Sequence, residues 1–167
     1  MRAIFRRLAL LTALVMLLSF ALTACGNDEK KPEYTDYEQK IIDYFAALSK
    51  GDVEEYKKCI PMDIVNYYIS DENTYFETFV TGMKSGMDKK YGDDYKLSYE
   101  FKREDKLTSS DIDVIEENVF TRFGKKIEIT KGYDIMVKIH VNKDGFDEEE
   151  QRITVCMIDY KWYVLDA

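Results

Sequence analysis

Residues 133–141 read YDIMVKIHV. Tyr133, Ile135, Val137, Ile139 and Val141 alternate with Asp134, Met136, Lys138 and His140. A period of two is what a strand with one buried face writes into a sequence. Downstream, Asp144-Gly145 marks a turn. Ile153, Val155 and Met157 form the next inward row, and Trp162, Tyr163, Val164 and Leu165 are apolar on both faces, as in a well-covered strand. Upstream, Tyr95, Leu97, Tyr99 and Phe101 alternate in the same way, and Ile127 with Ile129 suggests a further short strand. Between these strands, Ile112, Ile115, Val119 and Phe123 fit a helix that stops at Gly124.

The chain before residue 95 has the helical period instead. Thr35 and Glu38 have capping-box spacing. Tyr37, Ile41, Tyr44, Phe45 and Leu48 then make one apolar stripe, which Gly51 ends. Asp52 with Glu55 is a second cap, and Val53, Tyr56 and Ile60 follow on one face. Pro61 suits a first helical turn and opens a segment to about Ile69. A longer helix is expected over residues 71–91, with Phe76, Phe79, Val80, Met83 and Met87 inward and Gly92 past its end. Within it, Gly82-x-x-x-Gly86 suggests close packing at one spot. Helices first and antiparallel strands after give an α+β fold, a single domain over residues 35–167.

Two stretches carry a family resemblance: YFAALSKGDVEEY at residues 44–56 and DYKWYVLDA at residues 159–167. Together they resemble the nuclear transport factor 2-like superfamily. More narrowly, they resemble small lipoproteins of Gram-positive bacteria with a cone-shaped, cystatin-like domain. The resemblance implies N-terminal helices packed on a curved, mainly antiparallel sheet. The helix at 109–123 departs from the simplest version of that fold.

The N-terminus is an address. Arg2, Arg6 and Arg7 precede an apolar run over residues 8–24, which ends Leu22-Thr23-Ala24-Cys25. At 17 residues the run is short for a bilayer span, which needs about 20, and suits a signal-peptide core. Its end resembles a lipobox, in which the Cys thiol receives a diacylglyceryl group and becomes the new N-terminus. The expected organisation is a lipoprotein signal peptide (1–24), a lipidated Cys25 with a polar tether (25–34), and the domain. The expected location is the outer face of the bacterial cell membrane, held there by the lipid on Cys25.

Composition narrows the partners. The full chain has 24 Lys and Arg against 32 Asp and Glu, a net charge of −8. Loss of residues 1–24 removes three Arg and leaves −11. That balance argues against nucleic acid, whose phosphates are met by Lys and Arg. It also leaves the anchoring to the lipid, because anionic headgroups repel such a domain.

The residues offer no catalytic, cofactor or metal constellation. His140 is the single histidine, and its parity places it among polar strand residues. No Gly-x-Ser-x-Gly elbow occurs. An EF-hand register on Gly145 would begin at His140 and end at Gln151, without the carboxylates such a loop needs. Cys59 and Cys156 are expected to be free thiols, Cys156 pointing away from the helices.

Aromatic residues are abundant: 13 Tyr, 9 Phe and 1 Trp. Most fall on the periodic stripes and belong to a core. If a cavity exists between the first helix and the sheet, Tyr44, Phe45, Leu48, Tyr99, Val137 and Trp162 would be its walls. The expected function is a non-catalytic binding or interaction module for a protein or a small apolar ligand. The alternatives are a small isomerase- or dehydratase-type pocket enzyme, using a buried carboxylate and a Tyr, and a self-associating domain such as a homodimer.

Overall fold

In the computed structural model, residues 33–69, 74–143 and 148–165 are described. Cys25, its tether as far as residue 32 and the Asp144-Gly145 turn lie outside them. The helices are α1 (Asp36–Lys50), α2 (Val53–Lys57), α3 (Met62–Ile69), α4 (Tyr75–Tyr91) and α5 (Ser109–Phe123). The strands are β1 (Leu97–Lys106), β2 (Ile129–Val141), β3 (Glu149–Ile158) and β4 (Lys161–Val164). They form an antiparallel sheet in the order β1-β2-β3-β4, with α5 inserted between β1 and β2. The fold is α+β.

The helix boundaries follow from side-chain chemistry. The Thr35 hydroxyl accepts from the Glu38 N–H, and Glu38 accepts the Thr35 N–H at 2.8 Å. Thr108 and Asp111 make the same reciprocal pair at the start of α5, with Thr108 N–H donating to Asp111 at 2.8 Å. Each pair satisfies donors that a helix N-terminus leaves open. Asp52 accepts from the Glu55 N–H at 3.1 Å and starts α2. Gly51 ends α1 at a φ of 69°, in the left-handed region. The helix expected over residues 71–91 is observed as Tyr75–Tyr91, residues 71–73 being outside the description.

The sheet differs from the sequence reading in three ways. Ile127 and Ile129 form no separate strand: Ile129 opens the long β2. An irregularity between Ile129 and Lys131 interrupts the alternation at that point, which hides the continuity. β1 starts at Leu97 and runs on to Lys106, with a register shift between Phe101 and Arg103 that breaks the pattern of two. Tyr95 precedes the strand, and its hydroxyl donates to the Ser49 carbonyl at 3.3 Å.

α1 lies on the face of the sheet that carries Val137 and Val155. Ile41, Leu48, Ile135, Val137, Val155 and Val164 are almost fully buried there, and Phe45 stacks on Tyr99 at 5.6 Å. Tyr37 closes the end of this core against Tyr133 and Trp162, with ring centroids at 4.9 Å and 5.2 Å. The backbone of Cys59 covers the outer edge of β4, accepting the Val164 N–H at 2.8 Å. That contact blunts an edge that would otherwise offer unpaired donors.

The opposite face holds a smaller apolar patch. Cys156, opposite Gly132, is buried there completely. A Cβ on Gly132 would stand 2.5 Å from Leu107 Cδ1 and 3.1 Å from Cys156 Sγ. The missing side chain is therefore what lets Leu107 cover the thiol. Cys156 does point away from α1, as its parity requires, and Leu107 still seals it from solvent.

Two expectations on α4 fail. Gly82 and Gly86 face open space, with nothing within 4 Å of a Cβ built on either. Met83, expected inward, is 38% exposed. Spacing along a helix says which residues share a face, not whether anything packs on it.

Candidate functional site

A cavity of about 540 Å³ opens where α3, α4 and α5 meet the end of β4. That volume lies within the range of about 300–1,000 Å³ usual for small-molecule sites. The apolar stripes of the helices supply its walls. α3 contributes Ile64 and Tyr68, α4 contributes Tyr75, Phe76 and Phe79, and α5 contributes Ile115, Val119 and Phe123. Val164 and Leu165, with Tyr56 and Ile60, complete the inner end.

The aromatic walls brace one another. Tyr68 stacks on Tyr75 with centroids 4.3 Å apart and meets Phe76 edge-on at 5.3 Å. Tyr67 meets Phe123 edge-on at 5.3 Å. Such pairs add to the burial of the rings and fix their orientation. The wall is therefore held in place by ring contacts.

Polar groups are few. Among the described lining residues they are Asn118, Thr121, Arg122 and the Tyr hydroxyls, with no Asp or Glu. Arg122 stands in the last turn of α5. Its Nη2 donates to the Tyr68 hydroxyl at 3.4 Å, and its guanidinium carbon lies 5.2 Å from the Phe123 ring centroid. Among the described residues no carboxylate lies within ion-pair range of Arg122.

The six residues expected as cavity walls are elsewhere. Tyr44, Phe45, Leu48 and Val137 are buried between α1 and the sheet, Tyr99 stacks on Phe45, and Trp162 packs on Tyr37 and Tyr133. None of the six lines this cavity. Phe76, Phe79, Val119 and Phe123 were visible in the sequence as helix stripes. Their convergence on one space depends on how three helices meet, which no spacing reports.

The polar sheet face carries a second cluster. His140 lies between Glu148, at 2.8 Å from Nδ1, and Glu100, at 3.5 Å from Nε2. Lys138 pairs with Glu148, and Lys102 with Glu100. These partners hold both carboxyls below the usual Glu range: Lys138 foremost for Glu148, Lys102 foremost for Glu100. The cluster is open to solvent, where such pairs contribute little. Elsewhere, Lys90 and the Tyr91 hydroxyl both donate to Glu149 and lower its pKa.

Cys59 and Cys156 are both buried and both free. Burial pushes the Cys59 thiol up to about 11 and the Cys156 thiol up to about 12. At neutral pH both are neutral thiols, without the thiolate that nucleophilic chemistry needs. Among the described residues no group of three or more His, Cys, Asp or Glu gathers in a way that could hold a metal ion. No described helix is long and apolar enough to cross a membrane.

Comparison with known proteins adds no relative: the chain matches no family model, no curated protein and no solved structure.

Proposed function

We propose that this chain is a lipid-anchored binding module on the outer face of a bacterial cell membrane, and that its site is the cavity between α3, α4 and α5. The observation that carries the binding role is a space of about 540 Å³ walled by braced aromatic rings. An apolar enclosure with a few polar groups is the usual form of a small-molecule site. The observation that carries the location is Leu22-Thr23-Ala24-Cys25 after three Arg and an apolar run.

The resemblance to the nuclear transport factor 2-like superfamily bears on this reading through α5. That helix is the departure from the simplest version of the fold, and it supplies one wall of the cavity. The inserted element thus supplies part of the candidate site.

Two measurements test the reading. The first is native mass spectrometry of the mature chain from position 25 carrying Cys25→Ser, purified gently. An added mass that leaves on denaturation and is reduced by Val119→Trp supports the cavity as the site. A clean apo mass that no added apolar compound changes would remove it. The second is membrane fractionation of the full chain. Anchoring predicts that Cys25→Ser moves the protein into the soluble fraction; unchanged membrane retention would contradict a lipid on that residue.

A further inference from the structure

The cavity is not uniformly apolar at its mouth: among the described residues Arg122 is the one cation of its lining, and no described carboxylate balances it. Arg122 is exposed at the end of α5 and is turned toward the ring wall by Tyr68 and Phe123. No described carboxylate pairs with it, in a chain that carries 32 acidic residues. Several other cations do have a carboxylate partner, Lys57 with Glu54, Lys84 with Asp88, Lys138 with Glu148 and Lys143 with Asp94, whereas Arg122, like Lys125, Lys126 and Lys131, has none among the described residues.

The local sequence strengthens the asymmetry. Residues 122–126 read RFGKK, three cations and no acid. Beyond about 8 Å at physiological salt, the acidic remainder of the domain is screened. A ligand head at the mouth therefore meets the guanidinium far more strongly than the net charge.

We propose that the cavity takes a single-chain amphiphile with an anionic head: an apolar tail among the rings of α3, α4 and α5, and a carboxylate or phosphate on Arg122. This rests on the cavity being a binding site. It adds a head-group rule that the apolar lining alone does not contain. A planar guanidinium offers paired N–H donors that fit a carboxylate or a phosphate, and such charge-assisted bonds are the strong ones. The Tyr68 hydroxyl, already accepting from Nη2, holds that donor plane in place before a ligand arrives.

The test uses the mature chain with Cys25→Ser, since everything described lies beyond position 25. Decanoate, 1-decanol and decyltrimethylammonium are titrated at pH 8, below their micelle concentrations, and followed by amide NMR shifts. The expected result is that decanoate binds about tenfold or more tightly than decanol, with shifts centred on the α3, α4 and α5 walls. Arg122→Gln should erase that preference, measured as the ratio of decanoate to decanol affinity within the variant, and Arg122→Lys should restore part of it. Equal affinity for decanoate and decanol, with shifts at the walls, would overturn the head-group rule and leave the cavity reading standing. Tighter binding of the cation would overturn it in the same way. Shifts elsewhere, or none with any probe, would overturn both. The comparison of probes on the unsubstituted cavity needs no variant to fold, and a phosphate-headed decyl ester separates the two anion sources.

Discussion

The two sides of α1 and its neighbours show how one chain can fill one space and leave another open. Between α1 and the sheet, Ile41, Leu48, Ile135, Val137 and Val155 alternate with the Phe45–Tyr99 stack and leave little gap. Where α3, α4 and α5 meet, the walls are mostly rings set edge-on or stacked against each other, and about 540 Å³ stays open. Branched aliphatic side chains interdigitate across facing elements. Rings that lean on rings of neighbouring helices brace a wall without filling the space in front of it. The first region reads as a core, the second as a receptacle.

Substitutions in the two regions should therefore have unequal effects. Phe45→Ala, in the filled core, is expected to cost about 3–5 kcal/mol in denaturant unfolding. Phe79→Ala, on the half-open wall, should cost clearly less; equal losses would break the comparison. Gly132→Ala forces a Cβ to 2.5 Å from Leu107. It is expected to destabilise by about 1–3 kcal/mol, as overpacking does. Leu107→Ala in the same chain should recover part of that, and strict additivity of the two losses would argue against the clash.

A gain of one methylene sharpens the contrast further. Val137→Leu should destabilise by about 1–3 kcal/mol, whereas Val119→Leu, facing the cavity, should be neutral or stabilising. A thermal melt of both variants decides it, and an equal drop for Val119→Leu would mean that the space is not open. On the outer side of α4, where nothing packs, Gly82→Ala should raise stability by about 1 kcal/mol. A loss there would reveal a contact that the structure does not contain.

The smallest effect expected is set by pH. Folding raises the thiol pKa values of Cys59 and Cys156 to about 11 and about 12. A raised pKa means the contribution is full below the unfolded thiol value of about 8.5 and is lost as pH rises towards the folded values. Stability should thus decline in the alkaline range, and Cys59→Ala with Cys156→Ala should flatten that decline. The same burial predicts that neither thiol reacts with a disulfide reagent at pH 8 until the chain unfolds; rapid labelling of the folded protein would contradict it.

Much of the fold could be read from the sequence because its signals are local. Thr35 with Glu38, Asp52 with Glu55, and the alternation from Tyr133 to Ile139 each act within a few residues, and each element stands where they point. The reading failed where a local pattern was interrupted. The register shifts near Phe101 and Ile129 disguised the length of β1 and β2. Gly82 and Gly86 share helical spacing with true packing motifs, but only the neighbouring elements decide what meets them.

The site was the least legible part. Tyr44, Phe45 and Leu48 have the same kind of spacing as Phe76, Phe79 and Val80, so the sequence offers no reason to prefer one set as a wall. What separates them is the position of α5 against α3, fixed by long-range contacts such as Tyr67 and Tyr68 on Phe123.

The most direct test of the contrast is a crystal of this protein held under xenon, which enters dry apolar space and avoids filled cores. The account predicts xenon density against Phe76, Phe79 and Val119, and none between α1 and the sheet. Density beside Phe45 and Val137, or none in the cavity at a pressure that fills known apolar sites, would contradict it.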